Sequence, residues 1–254
     1  MRLLKHLVLM TVAVVALPVG VDGKATGPIY LARRIPEGTE IKVDGDLSDW
    51  QWLAPVFSTS DEFPFARWDV PEEDFGVEVK VAWSPETNML YHAVKVTDDK
   101  LLTLPREQAQ KMWRYDLLEL FIDADGSGGN YRGENNSAQA QQYFLYLPPD
   151  RSACFGLFGP QEKLGWSLKA PYAKYAARYD GKTICYELAQ NVWDFLGESP
   201  QQSRLHNLKA GQVMGWKITV KDRDNEKEAP IGCTLRPSDA WENADNFARL
   251  MLTP

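Results

Sequence analysis

With 254 residues, 44% of them hydrophobic and 25% charged, the chain has the length and balance of one folded domain rather than of a disordered segment. A formal net charge of −7, with no cluster of Lys and Arg, gives a surface that repels phosphate backbones and argues against nucleic acid as a partner. Three cysteines, Cys154, Cys185 and Cys233, allow one disulfide and leave one thiol over, and without a Cys-x-x-Cys spacing they indicate neither zinc nor thiol-redox chemistry.

At the start, Arg2 and Lys5 precede a run from Leu7 to Val19 that carries no charge, followed by small residues and a turn signal at Gly23. This is the plan of a secretory signal peptide with cleavage near Gly23 and Lys24. The run is shorter than the ~20 apolar residues a spanning helix needs, so no membrane association is expected after cleavage. Residues 1–23 are therefore expected to be removed, leaving residues 24–254 as one secreted domain, extracellular or periplasmic, with a formal charge of −8.

Ile29 to Arg34 predicts a short strand, and Ile41 to Asp44 another, ended by an Asp-Gly turn with a helix start at Ser48. Asp44, Asp46 and Asp49 are explained by turn chemistry more simply than by a cation, and Trp50, Trp52 and Leu53 by anchoring in a core. Phe57 to Asp74 is irregular but rich in aromatics, which predicts a loop folded back on the sheet. Val77, Val79, Val81 and Trp83 alternate with polar residues, Ser84 to Asn88 turns the chain, and Leu90 to Thr97 runs back, a β-hairpin pattern. His92 shares the apolar face of the return strand, where a lone histidine is more often a satisfied core residue than a ligand.

Leu101 to Met112 predicts a loop with a short helix leading into Trp113–Asp123. At period two, Leu118, Leu120 and Ile122 point one way and Leu117, Glu119, Phe121 and Asp123 the other, which predicts a strand buried on both faces. Glu119 is the anomaly, because a carboxylate there is costly unless something positive or hydrogen-bonding meets it. A binding site, a salt bridge and a cation ligand all answer that need. Asp123, Asp125, Ser127 and Asn130 offer hard oxygens of the kind calcium prefers, although the twelve-residue calcium-loop pattern lacks its terminal glutamate. Asn135-Asn136-Ser137 is a glycosylation sequon, relevant in a eukaryotic host.

Strands are then predicted at Gln142–Leu147, Ala153–Phe158, Trp166–Lys169, Tyr172–Tyr179, Thr183–Ala189 and Val213–Lys221, with one helical turn within Asn191–Gly197 and a closing strand before Leu252. Short strands separated by turn clusters at this spacing indicate an all-β fold, a sandwich or a barrel, with long loops and one or two short helices; an antiparallel β-sandwich, jelly-roll-like, is expected.

The mature chain holds two histidines, His92 and His206, and no Gly-x-Ser-x-Gly elbow, so a Ser-His-Asp triad is not indicated. Phosphate-cradling glycine motifs are absent as well. A glycosidase needs two carboxylates across a sugar, and this strand places Glu119 and Asp123 ~13 Å apart on one face with Asp116 on the other. Nine tryptophans in an acidic, exported β protein point instead to sugar binding, since aromatic faces stack on the apolar faces of sugar rings while carboxylates and amides bond the hydroxyl rim. Most of the nine belong to the core on this reading, with two or three exposed for a ligand.

Ile41, Val43-Asp44-Gly45, Leu47, Asp49, Trp52 and Ala54, then the hairpin ending Val96-Thr97-Asp98, then Trp113-x-x-Asp116-x-x-Glu119-x-Phe121-Ile122-Asp123, and last Trp216 to Asp224 with Trp241, together resemble family 9 carbohydrate-binding modules over about residues 29–252. The resemblance implies a β-sandwich that binds a sugar, often the end of an oligosaccharide or polysaccharide chain, between two tryptophans. By position these are Trp113 and Trp241, with Glu119 and Gln142 bonding hydroxyls. It also implies a structural calcium, for which Asp123, Asp125, Ser127 and Asn130 are the candidates. The chain departs from the family where an arginine is expected on the strand after Glu119 and the sequence has Gln141-Gln142-Tyr143-Phe144, and again at Pro237-Ser238-Asp239-Ala240 before the second tryptophan. Rival functions are a structural module without a sugar site, a glycoside-active enzyme using Glu119, and a haem-binding sandwich with ligands among His92, His206, Met112 and Met214.

Overall fold

A computed structural model describes residues 29–58, 74–132, 139–227, 231–234 and 240–254. The signal segment, most of the Phe57 to Asp74 loop, the Asn135 sequon and Pro237 to Asp239 lie outside the described residues. The strands are β1 (Ile29–Arg34), β2 (Phe57–Ser58), β3 (Phe75–Ser84), β4 (Met89–Asp98), β5 (Leu117–Asp123), β6 (Ala140–Tyr146), β7 (Cys154–Leu157), β8 (Ala173–Tyr179), β9 (Thr183–Gln190), β10 (Trp193–Phe195), β11 (Arg204–Leu205), β12 (Val213–Asp222), β13 (Ile231–Thr234) and β14 (Ala248–Thr253).

One continuous ladder runs β7-β6-β5-β12-β14-β1-β3-β4-β9-β8, with β13 added beside β12 and β2 beside β3. It folds on itself into a β-sandwich. Phe155 of β7 and Tyr175 of β8, from opposite ends of the ladder, come within 5.2 Å of each other. All pairings are antiparallel except those of β1, which lies parallel to both β14 and β3 and joins the two layers. The expected sandwich is thus present, with this one parallel strand at its seam.

The alternation in the sequence explains which side of each strand is buried. Val77, Val79, Val81 and Trp83 of β3 and Leu90, Val94 and Val96 of β4 meet Leu118, Leu120 and Ile122 of β5 and Trp216, Ile218 and Val220 of β12 in one core. Full burial of each such side chain is worth roughly 1.5–3 kcal/mol. Asn88, at φ 54°, turns the β3–β4 hairpin in the left-handed region that Asn tolerates. The outer face of the β3–β4–β9 layer is covered by a second cluster around Trp50, Leu53, Tyr91 and Ala189.

That cluster explains the Asp44 to Trp50 stretch. Buried Glu187 of β9 accepts hydrogen bonds from the backbone N–H groups of Asp44 (2.9 Å) and Gly45 (2.6 Å) and from Trp50 Nε1 (2.8 Å). Asp44 and Asp46 accept from backbone N–H groups two residues on and so make turns as expected, whereas Asp49 accepts from the N–H of Lys42, seven residues earlier. The strand predicted at Ile41–Asp44 is instead irregular, because its hydrogen bonds go to a side chain rather than a ladder. Of the strand predicted at Trp166–Lys169, Trp166 to Leu168 belong to a 3-10 segment, Gly159–Leu168, and Asn191–Gly197 contains the short β10 rather than a helical turn. The expected short helix before β5 is the 3-10 segment Arg106–Arg114. Neither Cys154 nor Cys185 is in a disulfide.

His92 is a core residue. Its Nε2 accepts a hydrogen bond across the sandwich from Trp216 Nε1 at 3.0 Å, and burial pushes the imidazole down to about 3, so it is neutral near pH 7. Between that value and the unfolded value near 6.5 only the unfolded chain takes up the proton, so stability falls as pH drops through this window, by about 2 kcal/mol at pH 5. His92→Gln keeps an acceptor for Trp216 and removes the titration. Denaturant unfolding at pH 7 and pH 5 should show a smaller loss for the variant than for the wild type, and an equal loss would show that His92 does not carry it.

Candidate functional site

The second face of β5 is where the two layers' outer surface becomes chemically unusual. Leu117, Glu119, Phe121 and Asp123 all point there, away from the main core, and all are buried. Pairing brings Thr219 and Phe144 beside Glu119, and Lys217 and Gln142 beside Phe121. Two apolar clusters flank this polar centre. On one side Met112, Leu117, Phe144, Tyr146, Cys154 and Phe158 pack beneath the Arg106–Arg114 segment. The ring of Phe144 lies so close over Gly156 that any Cβ there would overlap it. On the other side Phe121, Tyr131, Ala140, Ala240, Ala244 and Phe247 pack beneath the Trp241 loop.

Each flank presents one tryptophan. Among the eight described tryptophans the two largely exposed ones are Trp113, 47% exposed, and Trp241, 49% exposed. Trp113 lies in the last turn of the 3-10 segment, its ring stacked by the Arg114 guanidinium at 4.4 Å and its carbonyl accepting from Lys221 Nζ at 3.0 Å. The same ammonium donates to Glu119 Oε1 at 3.2 Å, so Lys221 ties the buried carboxylate to the backbone of the first tryptophan. Of the three answers the sequence left open for Glu119, a salt bridge is present.

Trp241 is held by the loop after β5. Tyr131 donates its hydroxyl to Ala240 O at 2.8 Å and its N–H to Glu242 O at 3.0 Å, while the Ala244 N–H donates to Gly129 O at 2.8 Å. The Gly129 N–H donates to Asp245 Oδ1 at 3.0 Å. Gly128, at φ 70°, lies where a Cβ would strain the backbone and push aside the Asp245 carboxylate. Both exposed tryptophans are thus anchored to the flanks of one polar face.

Gln142 lies in the floor, and its Oε1 accepts from the Arg132 guanidinium. Arg132 thus reaches this face from the loop after β5. Arg132, Lys221 and Lys217, whose Nζ sits 5.5 Å over the Phe121 ring, were missed by sequence reasoning. The lysines had a readable signal in the alternation of Lys217, Thr219 and Lys221 with Trp216, Ile218 and Val220. Arg132 had none.

The loop expected to hold calcium largely satisfies itself. Asp123 Oδ2 accepts from the Gly128 N–H, Asp125 Oδ1 from the Ser127 N–H and Asn130 Oδ1 from the Arg132 N–H, and Asp125 Oδ2 pairs with Arg204 at 3.4 Å. Burial pushes Asp123 up to about 6. Asp123 Oδ1 is buried without a hydrogen-bond partner. The same loop makes the hydrogen bonds that hold the Trp241 stretch.

Asp116 is buried before β5, bonded by the N–H groups of Leu102 and Arg223, and burial with the nearby Asp98 pushes it up to about 9. Among the haem candidates His92 Nε2 is occupied by Trp216, and His206 lies 2.6 Å from Asp194. A surface hollow bounded by Leu147, Arg151 and Tyr179 contains neither exposed tryptophan and is not part of this face.

Lys221→Met would leave Glu119 buried without its cation, at a cost of about 2–3 kcal/mol. Adding Glu119→Gln should recover most of that loss in denaturant unfolding. A double variant as unstable as the sum of the two single ones would show that the pair is not coupled.

The sequence matches the family described as "Carbohydrate family 9 binding domain-like" over residues 43–254. No curated protein matches the chain. Among solved structures, a family 9 carbohydrate-binding module from Caldicellulosiruptor kristjanssonii in complex with cellotriose superimposes with a TM-score of 0.58 at 13% identity, over 88% of this chain and 93% of that one. A family 9 module from the same organism in complex with glucose gives a TM-score of 0.59 at 15% identity, over 87% and 95%. With the family match covering most of its length, this chain belongs to the carbohydrate family 9 binding domain-like proteins.

Proposed function

We propose that this protein is a secreted, non-catalytic carbohydrate-binding protein that holds the end of a saccharide chain between Trp113 and Trp241, with Glu119 and Gln142 bonding its hydroxyls. The observation that carries the reading is that the two tryptophans left largely exposed among the described residues are the two anchored to opposite flanks of one polar face. Exposing a large aromatic ring costs burial energy, and an amphipathic ligand is what would recover it. The floor supplies what a sugar rim needs: a carboxylate and an amide oxygen as acceptors, and the cations of Lys221 and Arg132 as donors. Glucose and β-linked glucose oligomers, the ligands in the similar structures, are the first saccharides to consider.

Each floor group also has a structural partner, and this favours binding over hydrolysis. Glu119 is held against Lys221 at 3.2 Å. The residues before Ile29 supply the export signal on this reading, and no described helix is long and apolar enough to cross a membrane.

Trp113→Ala and Trp241→Ala should each weaken saccharide binding at least tenfold, equivalent to about 1.4 kcal/mol, read by affinity electrophoresis in glucan-containing gels. The melting temperature should stay within about 2 °C, since neither ring is core. Unchanged mobility of both variants would refute the clamp, and unfolding of either would assign that tryptophan to the fold. Export with cleavage should yield a mature N-terminus near Lys24, readable by N-terminal sequencing. Retention of Met1 on exported protein would refute the signal.

A further inference from the structure

Charge on the saccharide face is divided unevenly between its two flanks. On the Trp113 side the Glu119 carboxylate is met by Lys221 at 3.2 Å, so the two charges offset each other. Two residues further along β5, roughly 7 Å away, Phe121 forms the floor on the Trp241 side. Half-buried Arg132 reaches the Gln142 amide beside that ring, and from β12 Lys217 brings its ammonium to 5.5 Å from the ring itself. Asp123, another two residues along the same face, is turned to the Gly128 N–H.

Arg132 differs from other arginines of this chain. Arg34, Arg178 and Arg204 each meet a carboxylate, of Glu86, Asp44 and Asp194. Arg132 instead donates to a neutral amide oxygen and enters no ion pair among the described residues. A guanidinium presents several N–H donors in a planar fork that matches a carboxylate, and Gln142 uses only part of that capacity. The backbone that carries the fork is held in place. The Arg132 N–H donates to Asn130 Oδ1 at 2.9 Å, and the neighbouring Tyr131 hydroxyl donates to Ala240 O at 2.8 Å, so Arg132 is tied to the stretch that carries Trp241.

We propose that this face prefers a saccharide chain that ends in a hexuronic acid, with the carboxylate of that residue bound by Arg132. The inference rests on the saccharide reading above and names the class of sugar it would take. A closed uronic ring keeps the apolar faces on which two tryptophans can stack and carries an anion at its rim. An aldonic end opens the ring and gives those faces up. The uneven charge also gives the ring a direction, with hydroxyls toward Glu119 and the carboxylate toward Arg132. Charge-assisted hydrogen bonds are about twice as strong as neutral ones, so this one contact separates an acid from its neutral counterpart. Lys221 is what lets an anion settle on a floor that already holds a carboxylate, in a chain of net charge −7.

The test compares D-glucuronate with D-glucose, and D-galacturonate with D-galactose, by calorimetric titration of the mature protein. In at least one pair the acid should bind about tenfold more tightly than the neutral sugar. Raising sodium chloride should weaken binding of the acid and not of the neutral sugar, because screening acts on charge. That readout is taken on the wild type and needs no variant. Arg132→Gln should weaken both ligands and abolish the preference, while Arg132→Lys, which keeps the charge and loses the fork, should retain part of it. Neutral sugars bound as tightly as the acids would overturn this inference and leave the tryptophan clamp standing. A folded Arg132→Gln protein with its preference intact would overturn the assignment to Arg132. Binding of neither member of either pair would fail the saccharide reading itself, and this inference with it.

Discussion

A carboxylate in the middle of a strand buried on both faces is the constraint on which the rest of the site depends. Glu119 cannot stay in β5 without a cation, and Lys221, opposite Leu117 on β12, supplies it at 3.2 Å. The same ammonium also bonds the Trp113 carbonyl. A solution to a local electrostatic problem thereby fixes the position of an exposed aromatic ring. On the far flank, Tyr131 and the backbone of Gly129 do the equivalent work for Trp241. Each tryptophan is exposed because its own segment is tied down by hydrogen bonds rather than by burial of its ring.

The face is built from a sandwich whose other surfaces are spoken for. The inner side of β5 and β12 belongs to the main core, and the outer side of the β3–β4–β9 layer is roofed by the Asp44 to Trp50 stretch pinned on Glu187. What remains outside β5, β6 and β12 is flanked by two small apolar clusters with polar groups between them. This division into apolar walls and a polar floor matches the two-sided chemistry of a sugar ring.

Much of this was legible in the sequence wherever one face of a strand is buried and the other is not, as in Val77 to Trp83, Leu90 to Thr97 and Val213 to Lys221, because period-two alternation records that asymmetry directly. It failed at Ile41–Asp44 and Trp166–Lys169, where apolar residues pack from irregular or 3-10 backbone and periodicity says nothing of hydrogen bonding. The parallel seam made by β1 depends on partners at Ala82 and Arg249, far away in the chain, and no local pattern encodes it. Trp113 and Trp241 came from the order of motifs rather than from any property that separates them from the seven other tryptophans. Arg132 on Gln142 joins a loop to a strand, which spacing does not reveal.

The most direct measurement is calorimetric titration of the folded wild-type protein with glucose, cellotriose and a panel of other neutral oligosaccharides. Exothermic binding at micromolar to millimolar strength, with the exposed tryptophan fluorescence shielded from a soluble quencher in the bound state, is the predicted result. No heat with any saccharide, and quenching unchanged, would mean that the face between Trp113 and Trp241 does not hold a sugar.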